Sequence, residues 1–304
     1  MIKARNLQKK FATRPAVDGL SFEIAAGETF GLLGPNGAGK TTTISMLIGL
    51  LNPDSGCVEI GDPENRGGSP VDPGVRTRIG VAPQTLALYE NLTAKENLVF
   101  FGQMYGLAAD HLADRVEWAL GFSQLGDRRH DRVRTFSGGM KRRLNIAVAL
   151  IHEPGILLLD EPTVGVDPQS RNHIYQAVAE LQQQGMTLLY TTHLMEEAQR
   201  LCDRVAILDE GRLLALDSVE GLIGQHGGKS VVTGELMQTV DPGAIDGLTA
   251  VTLDGNSIRF ESGRPLEEVA RLTAQGVVFQ ALQIKQPDLE SVFLSLTGRS
   301  LRDQ

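Results

Sequence analysis

The chain has 304 residues, 41% hydrophobic and 22% charged, with 34 glycines and a formal net charge of −8. That length accommodates two domains with ordinary cores, and the acidic balance excludes a chain-wide basic footprint for nucleic acid or anionic lipid. Cys57 and Cys202 are too few and too far apart for a disulfide framework or a metal site, so two buried thiols in a reducing compartment are expected.

The first residues, Met1-Ile-Lys-Ala-Arg5, lack the apolar core of a signal peptide, so none is expected. No apolar run approaches the ~20 residues needed to cross a bilayer; if the protein works at a membrane, another chain supplies the spans. Phe11 follows the basic pair Lys9-Lys10 and admits two readings, a ring that stacks on a nucleobase or a satellite core residue. Leu20 to Ile24 alternates as a short strand, and Ala25-Ala-Gly-Glu28 is a turn.

Phe30 to Leu33 is a short apolar run, read as a buried strand that feeds a glycine-rich turn. Ile44, Leu47, Ile48 and Leu51 then recur at helical spacing. The turn, Gly34-Pro35-Asn36-Gly37-Ala38-Gly39-Lys40-Thr41-Thr42, fits G-x-x-x-x-G-K-[ST]. Glycines let backbone N–H groups converge on phosphate oxygens, and the helix N-terminus adds partial positive charge. Lys40 is expected against the β- and γ-phosphates and Thr41 as a Mg²⁺ ligand. The chain therefore binds a nucleoside triphosphate.

Asn52-Pro-Asp-Ser-Gly56 breaks the chain, Cys57 to Ile60 reads as a strand, and residues 61–75 read as a loop. Arg78 to Ala82 is a further buried strand, ending at Pro83-Gln84; a role for Gln84 depends on whether the sheet is parallel. From about 90 to 135 the pattern turns helical. Thr93-Ala-Lys-Glu96 is a capping box for a helix through about Tyr105, and Leu112, Val116, Ala119 and Leu120 give a second helix its apolar face. This block reads as a helical insertion.

The insertion ends at Phe136-Ser137-Gly138-Gly139-Met140, with Ser137 as N-cap of a helix carrying Leu144, Ala147, Val148 and Ile151. Its free N–H groups make a second anion site. Ile156 to Leu159 is an apolar strand ending in Asp160-Glu161. A carboxylate at a buried strand end calls for a cation, and Mg²⁺ beside phosphates is that cation. Strand alternation is expected to turn Glu161 the opposite way from Asp160, free to polarise an attacking water. Asp167-Pro168 opens a helix with Ile174, Val178 and Leu181 on one face, stopped by Gly185; Met186 to Thr192 is a strand, and His193 stands at its end. Asp203 to Asp217 reads as a closing hairpin.

In this order and approximate spacing the motifs resemble the ABC ATPase family over about residues 1–218. The resemblance implies an α/β P-loop NTPase fold with a mainly parallel core sheet, an antiparallel β-subdomain and the helical insertion. It implies that Phe11 stacks adenine, that Gly34 to Thr42 hold ATP, and that Gln84 senses metal and transmits to a partner. Ser137 to Gly139 would contact ATP held by a second copy. Asp160 would support Mg²⁺ with Thr41, Glu161 would be the general base, Asp167 would lie at a dimer seam, and His193 would hold the γ-phosphate. Phe136 stands where the family usually has Leu, and Val164-Gly-Val166 is likewise a variation, not a loss.

Beyond a linker at Gln225 to Lys229, residues 228–304 read as a small α+β domain: strands at Ser230–Thr233, Ala250–Leu253, Ser257–Phe260 and Val277–Ile284, helices at Pro265–Thr273 and Asp288–Leu296. Its ending, Leu289-Glu-Ser-Val-Phe293-Leu-Ser-Leu-Thr297-Gly-Arg299, is similar to the C-terminal extension of daunorubicin-resistance-type ABC exporter ATPases. The resemblance implies an exporter ATPase that pairs with itself and with separate membrane permease subunits at the cytoplasmic face of the membrane, without nucleic acid. A soluble ABC ATPase of repair or translation is the alternative; one phosphate loop per chain, no long heptad run and the acidic charge weigh against it.

Overall fold

The computed structural model describes residues 1–12, 14–62, 65–238, 240 and 242–298. Two compact units divide the chain, Met1–Val219 and Glu220–Gln304.

In the first unit β1 (Ile2–Phe11), β2 (Arg14–Ile24), β4 (Ser55–Asp62) and β5 (Asn65–Gly68) form an antiparallel sheet in the order β2-β1-β4-β5. Its inward residues Ile2, Leu7, Leu20, Ile24 and Ile60 are buried; in β1 the alternation slips by one between Ala4 and Leu7, where the register shifts and Asn6 takes φ 48°. The core sheet contains β3 (Thr29–Leu33), β6 (Ile79–Ala82), β7 (Ile156–Asp160), β8 (Thr187–Thr192), β9 (Arg204–Asp209) and β10 (Arg212–Ser218), ordered β10-β9-β3-β8-β7-β6. All its pairings are parallel except β9 with β10. β3, β7 and β8 are buried at every residue. That explains why their middles are apolar without alternation: a parallel sheet is covered on both faces. The parallel arrangement also brings the C-terminal ends of β3, β6, β7 and β8 to one edge.

α1 (Lys40–Leu47) follows β3 directly. The helical layer consists of α3 (Ala94–Met104), opened by the Thr93/Glu96 capping box, and α4 (Ala109–Phe122). Both share a core with α5 (Gly138–Ala149), and Phe136 is buried in it, so the apolar substitute is accommodated by packing. α6 (Pro168–Gln183) and α7 (Met195–Leu201) flank β8 in sequence. Among the described residues no helix is long and apolar enough to cross a membrane.

The second unit holds β11 (Ser230–Leu236), β12 (Thr249–Asp254), β13 (Ser257–Ser262) and β14 (Phe279–Lys285) in an antiparallel sheet of order β12-β13-β11-β14. With α9 (Pro265–Ala274) between β13 and β14, this is the strand order of a split βαβ fold, a 3₁₀ turn standing where the first crossover helix would be. α10 (Leu289–Thr297) follows, with Asp288 as its N-cap and Gly298 at its end in the left-handed region, φ 67°. Arg299 of the sequence motif lies outside the described residues.

Three sequence expectations are corrected. Within the supposed loop 61–75, residues 65–68 form β5 on the sheet edge and α2 spans Pro73–Arg76, because Pro73 supplies a helix start that a count of loop-forming residues hides. Gln225 and His226 belong to α8 (Val219–His226), so the connection is shorter than the glycines suggested. Cys57 is exposed on β4, on the face away from the core, while Cys202 is buried and its thiol is pushed up by burial.

Candidate functional site

The β3–α1 turn is built on close backbone approach. A Cβ on Gly34 would run into the Leu208 carbonyl, and one on Gly39, at φ 98°, into the Ala16 carbonyl. Gly37 also needs the left-handed region, φ 81°. Ala38 is buried beneath the turn. Lys40 folds back so that its Nζ donates to the carbonyls of Gly34 at 2.8 Å and Pro35 at 3.0 Å.

Three further strand ends meet this turn. From β7, Asp160 Oδ2 accepts from Thr41 Oγ1 at 3.0 Å, and Oδ1 accepts from Thr191 Oγ1 at 2.6 Å. Glu161 Oε1 stands 3.0 Å from Lys40 Nζ, an ion pair 7% and 5% exposed, and 3.5 Å from His193 Nδ1. Its Oε2 accepts from Gln84 Nε2 at 3.2 Å. Strand alternation is not what aims Glu161. β7 ends at Asp160, and Glu161 takes φ 46°, with its N–H held by Thr191. The expectation of an opposite-facing strand residue is thus replaced by a left-handed turn that brings Glu161 into the cleft beside Lys40, while Asp160, at the end of β7, meets Thr41.

A cleft of about 360 Å³ is lined by Phe11, Arg14, Asn36, Lys40, Gln84 and Glu161, together with Gly37, Gly39, Thr41 and Thr42 of the turn. Phe11 is 53% exposed at the end of β1, which disfavours a core role and leaves its ring facing the cleft. The glycine cradle suits phosphates, and the Thr41 hydroxyl with the Asp160 carboxylate is the hard oxygen donor set that Mg²⁺ takes. Among the described residues no cluster of three or more His, Cys, Asp or Glu is present.

Ser137 to Gly139 are not among the residues of this cleft. Ser137 caps α5, accepting from Met140 N at 3.3 Å. Gly139 abuts the start of α6: a Cβ there would collide with Ser170 and come within 3.0 Å of Asp167 Oδ2. Asp167 caps α6 by accepting from Ser170 N at 2.9 Å, and that bond holds its carboxyl below the ordinary aspartate range. The Gly34–Thr42 turn and the Ser137 helix start thus stand at separate places in the chain.

Sequence reading missed several supports. Arg142 on α5 donates to the carbonyls of Pro83 and Gln84, each at 3.0 Å, and Asn145 Oδ1 accepts from Ala87 N at 3.0 Å, so α5, the helix that Ser137 to Gly139 open, holds the Gln84 segment. In sequence both read as polar residues of an amphipathic helix, and only the structure shows them buried. Glu197, on α7, is buried among hydroxyls and gave no signal at all, since a Glu-Glu pair in a helix reads as surface.

The chain resembles known proteins along its whole length. The ABC transporter family model matches residues 17–164. The linearmycin resistance ATP-binding protein LnrL of Bacillus subtilis (strain 168) is 42% identical, the match covering 100% of both chains. The Nod factor export ATP-binding protein I of Burkholderia lata is 40% identical over 99% of this chain and 98% of its own length. Among solved structures, an ATP-binding subunit of an ABC transporter matches 75% of this chain and 93% of its own, at 30% identity and TM-score 0.67. A dimeric bacterial ABC transporter cassette matches 72% and 98%, at 27% identity and TM-score 0.65.

Proposed function

The chain belongs to the ABC transporter family as an ATP-binding, ATP-hydrolysing subunit of the exporter type, and from that premise we propose how its residues divide the work. The observation that carries the reading is the meeting of Lys40, Glu161, Gln84 and His193 within hydrogen-bonding or ion-pair reach at the mouth of the phosphate turn.

Gly34 to Thr42 hold the phosphates, with Lys40 as the point charge on them and Phe11 against the base. Thr41 and Asp160 would hold Mg²⁺, with Gln84 as a further candidate for it; when bound, the ion would neutralise charge on the phosphates. Glu161 accepts the proton of the water that attacks the γ-phosphorus as the bond to the β-phosphate oxygen breaks and ADP leaves. His193 steadies the γ-phosphoryl group.

The separation of Ser137–Gly139 from the cleft favours a two-fold pair in which each copy's signature, with Asp167 at the seam, completes the other's site. A second groove supports a permease partner. It is about 380 Å³ and mainly apolar, with Ile44, Ile48, Leu50, Ile79, Val81 and Tyr105 in its walls, and its floor reaches Thr41 and Asp160. Leu50 is 77% exposed there. An amphipathic cytoplasmic helix of a membrane chain suits such a groove. Tyr89, packed on Phe100 and half exposed, stands on the segment after Gln84. That partner would hold the protein at the cytoplasmic face of the membrane. Residues 1–220 are the catalytic domain in this scheme, and 228–304 an accessory one. The relatives are named for linearmycin resistance and for Nod factor export, which supports drug, antibiotic or other export as the work this chain energises.

Lys40→Ala and Glu161→Gln test the assignment. The first is expected to lose tight ATP binding. The second should keep binding, lose about 10²–10⁴-fold in kcat, and form an ATP-dependent dimer in light scattering. A Glu161→Gln protein with parental turnover removes Glu161 from the role of base.

A further inference from the structure

Four hydroxyl groups from three segments converge on one buried carboxylate behind the site. Glu197, 1% exposed, accepts at Oε1 from Thr163 Oγ1 (2.5 Å) and Tyr175 OH (2.9 Å). Its Oε2 accepts from Thr192 Oγ1 (2.8 Å) and Tyr190 OH (3.1 Å). Burial, and after it the facing carboxylate, push the pKa of both phenols up, so they stay protonated donors. Thr192 Oγ1 in turn accepts from Leu194 N at 2.9 Å, which fixes the backbone on either side of His193.

The places these hydroxyls come from matter more than their number. Thr163 lies on the turn between Glu161 and Asp167, Tyr175 on α6 whose N-cap is Asp167, and Tyr190 and Thr192 on the strand that ends at His193. A carboxylate in a buried site is costly, and an apolar side chain of similar volume would pack there more cheaply. A charge met by four donors is justified by the geometry it imposes, because every donor must point at the same two oxygens.

We infer that Glu197 is a positioning residue for ATP hydrolysis, whose carboxylate locks the His193 strand end to the Glu161–Asp167 turn so that base, phosphate sensor and dimer seam move as one body. The inference rests on the roles proposed for Glu161 and His193. It also makes a contact at His193 mechanically continuous with Asp167 in the same chain.

The test measures ATPase kinetics of the full chain, normalised to ATP-binding stoichiometry, for the parent, Glu161→Gln, Glu197→Gln, Thr192→Val and Tyr190→Phe. Glu197→Gln keeps the volume but has only one accepting atom for four donors. Its KM is expected within threefold of the parent while kcat per site falls at least tenfold. Thr192→Val, which removes the hydroxyl nearest His193, is expected to lose at least threefold in kcat with KM unchanged, and Tyr190→Phe less. A role in packing alone would lower the melting temperature and the stoichiometry and leave kcat per bound site untouched; that result overturns the inference. Should Glu197→Gln not fold, Thr192→Val carries the test by itself, and parental kcat per site there is equally fatal. Glu161→Gln keeps the two readings apart: if it retains turnover, the catalytic assignment fails, whereas if it loses turnover and the Glu197-network variants do not, only this inference fails.

Discussion

Gly139 is the position where the packing of the signature helix can be put to a quantitative test. A methyl added there overlaps both Cβ and Oγ of Ser170 and approaches Asp167 Oδ2 at 3.0 Å, so Gly139→Ala must push the start of α5 away from the start of α6. Neither colliding atom is the end of a flexible side chain: Ser170 is fixed in the first turn of α6 and is buried. Overpacking of this kind costs about 1–3 kcal/mol. For a unit of about 220 residues each kcal/mol lowers the melting temperature by roughly 2–4 °C, so a fall of about 2–12 °C is expected. The diagnostic is a double-mutant cycle with Ser170→Gly, which removes the colliding atoms while the backbone N–H that Asp167 accepts remains. In the parent, Ser170→Gly places a poor helix former in α6 and should destabilise by about 0.5 kcal/mol. In the Gly139→Ala background it should stabilise, because relief of overlap outweighs the propensity loss. Urea or thermal unfolding of the four proteins reads the sign directly. If Ser170→Gly destabilises both backgrounds equally, the two helix starts are not in the contact described, and the requirement for glycine at 139 is not a packing requirement within one chain.

Three further outcomes are expected. Phe11→Ala should weaken ATP binding roughly 5- to 150-fold, the range of lost base–aromatic stacking, whereas Phe11→Tyr should not; equal affinity in all three in equilibrium binding would exclude stacking. Mixing Lys40→Ala with Ser137→Arg, each inactive alone, should restore part of the ATPase activity, since one of the two shared sites in a mixed pair is intact; with no recovery, the two sites do not fire independently. Asp167 has its carboxyl held low by the Ser170 N–H, so its contribution to stability exists above the unfolded aspartate pKa and disappears as pH falls through the folded one. The stability gap between the parent and Asp167→Ala should therefore narrow below about pH 4, and a gap constant from pH 7 to 3 would contradict the cap.

The sequence by itself determined the elements whose local chemistry leaves one choice. Gly34, Gly39 and Lys40 between an apolar run and a 3.6-period pattern dictate strand, phosphate turn and helix. Thr93 with Glu96, Ser137, Asp167-Pro168 and Asp288 each mark a helix start that forms there, because a cap acts on N–H groups two or three residues away. Local signals failed where the outcome depends on distant partners. Residues 65–68 become a strand because β4 offers an edge, and Cys57 is exposed because of the face of β4 it occupies. The candidate site shows the same division. Its residue types were legible because phosphate and Mg²⁺ chemistry restricts them, but their meeting was not. Gln84, Asp160 and His193 come together because three parallel strands end at one edge, a property of sheet order that no window of sequence contains. Glu161 reaches Lys40 through a left-handed backbone turn held by Thr191, thirty positions away in the chain. Arg142 and Glu197 look like surface charges on amphipathic helices, and only the tertiary structure buries them, because burial is decided by what the rest of the chain places over a helix face.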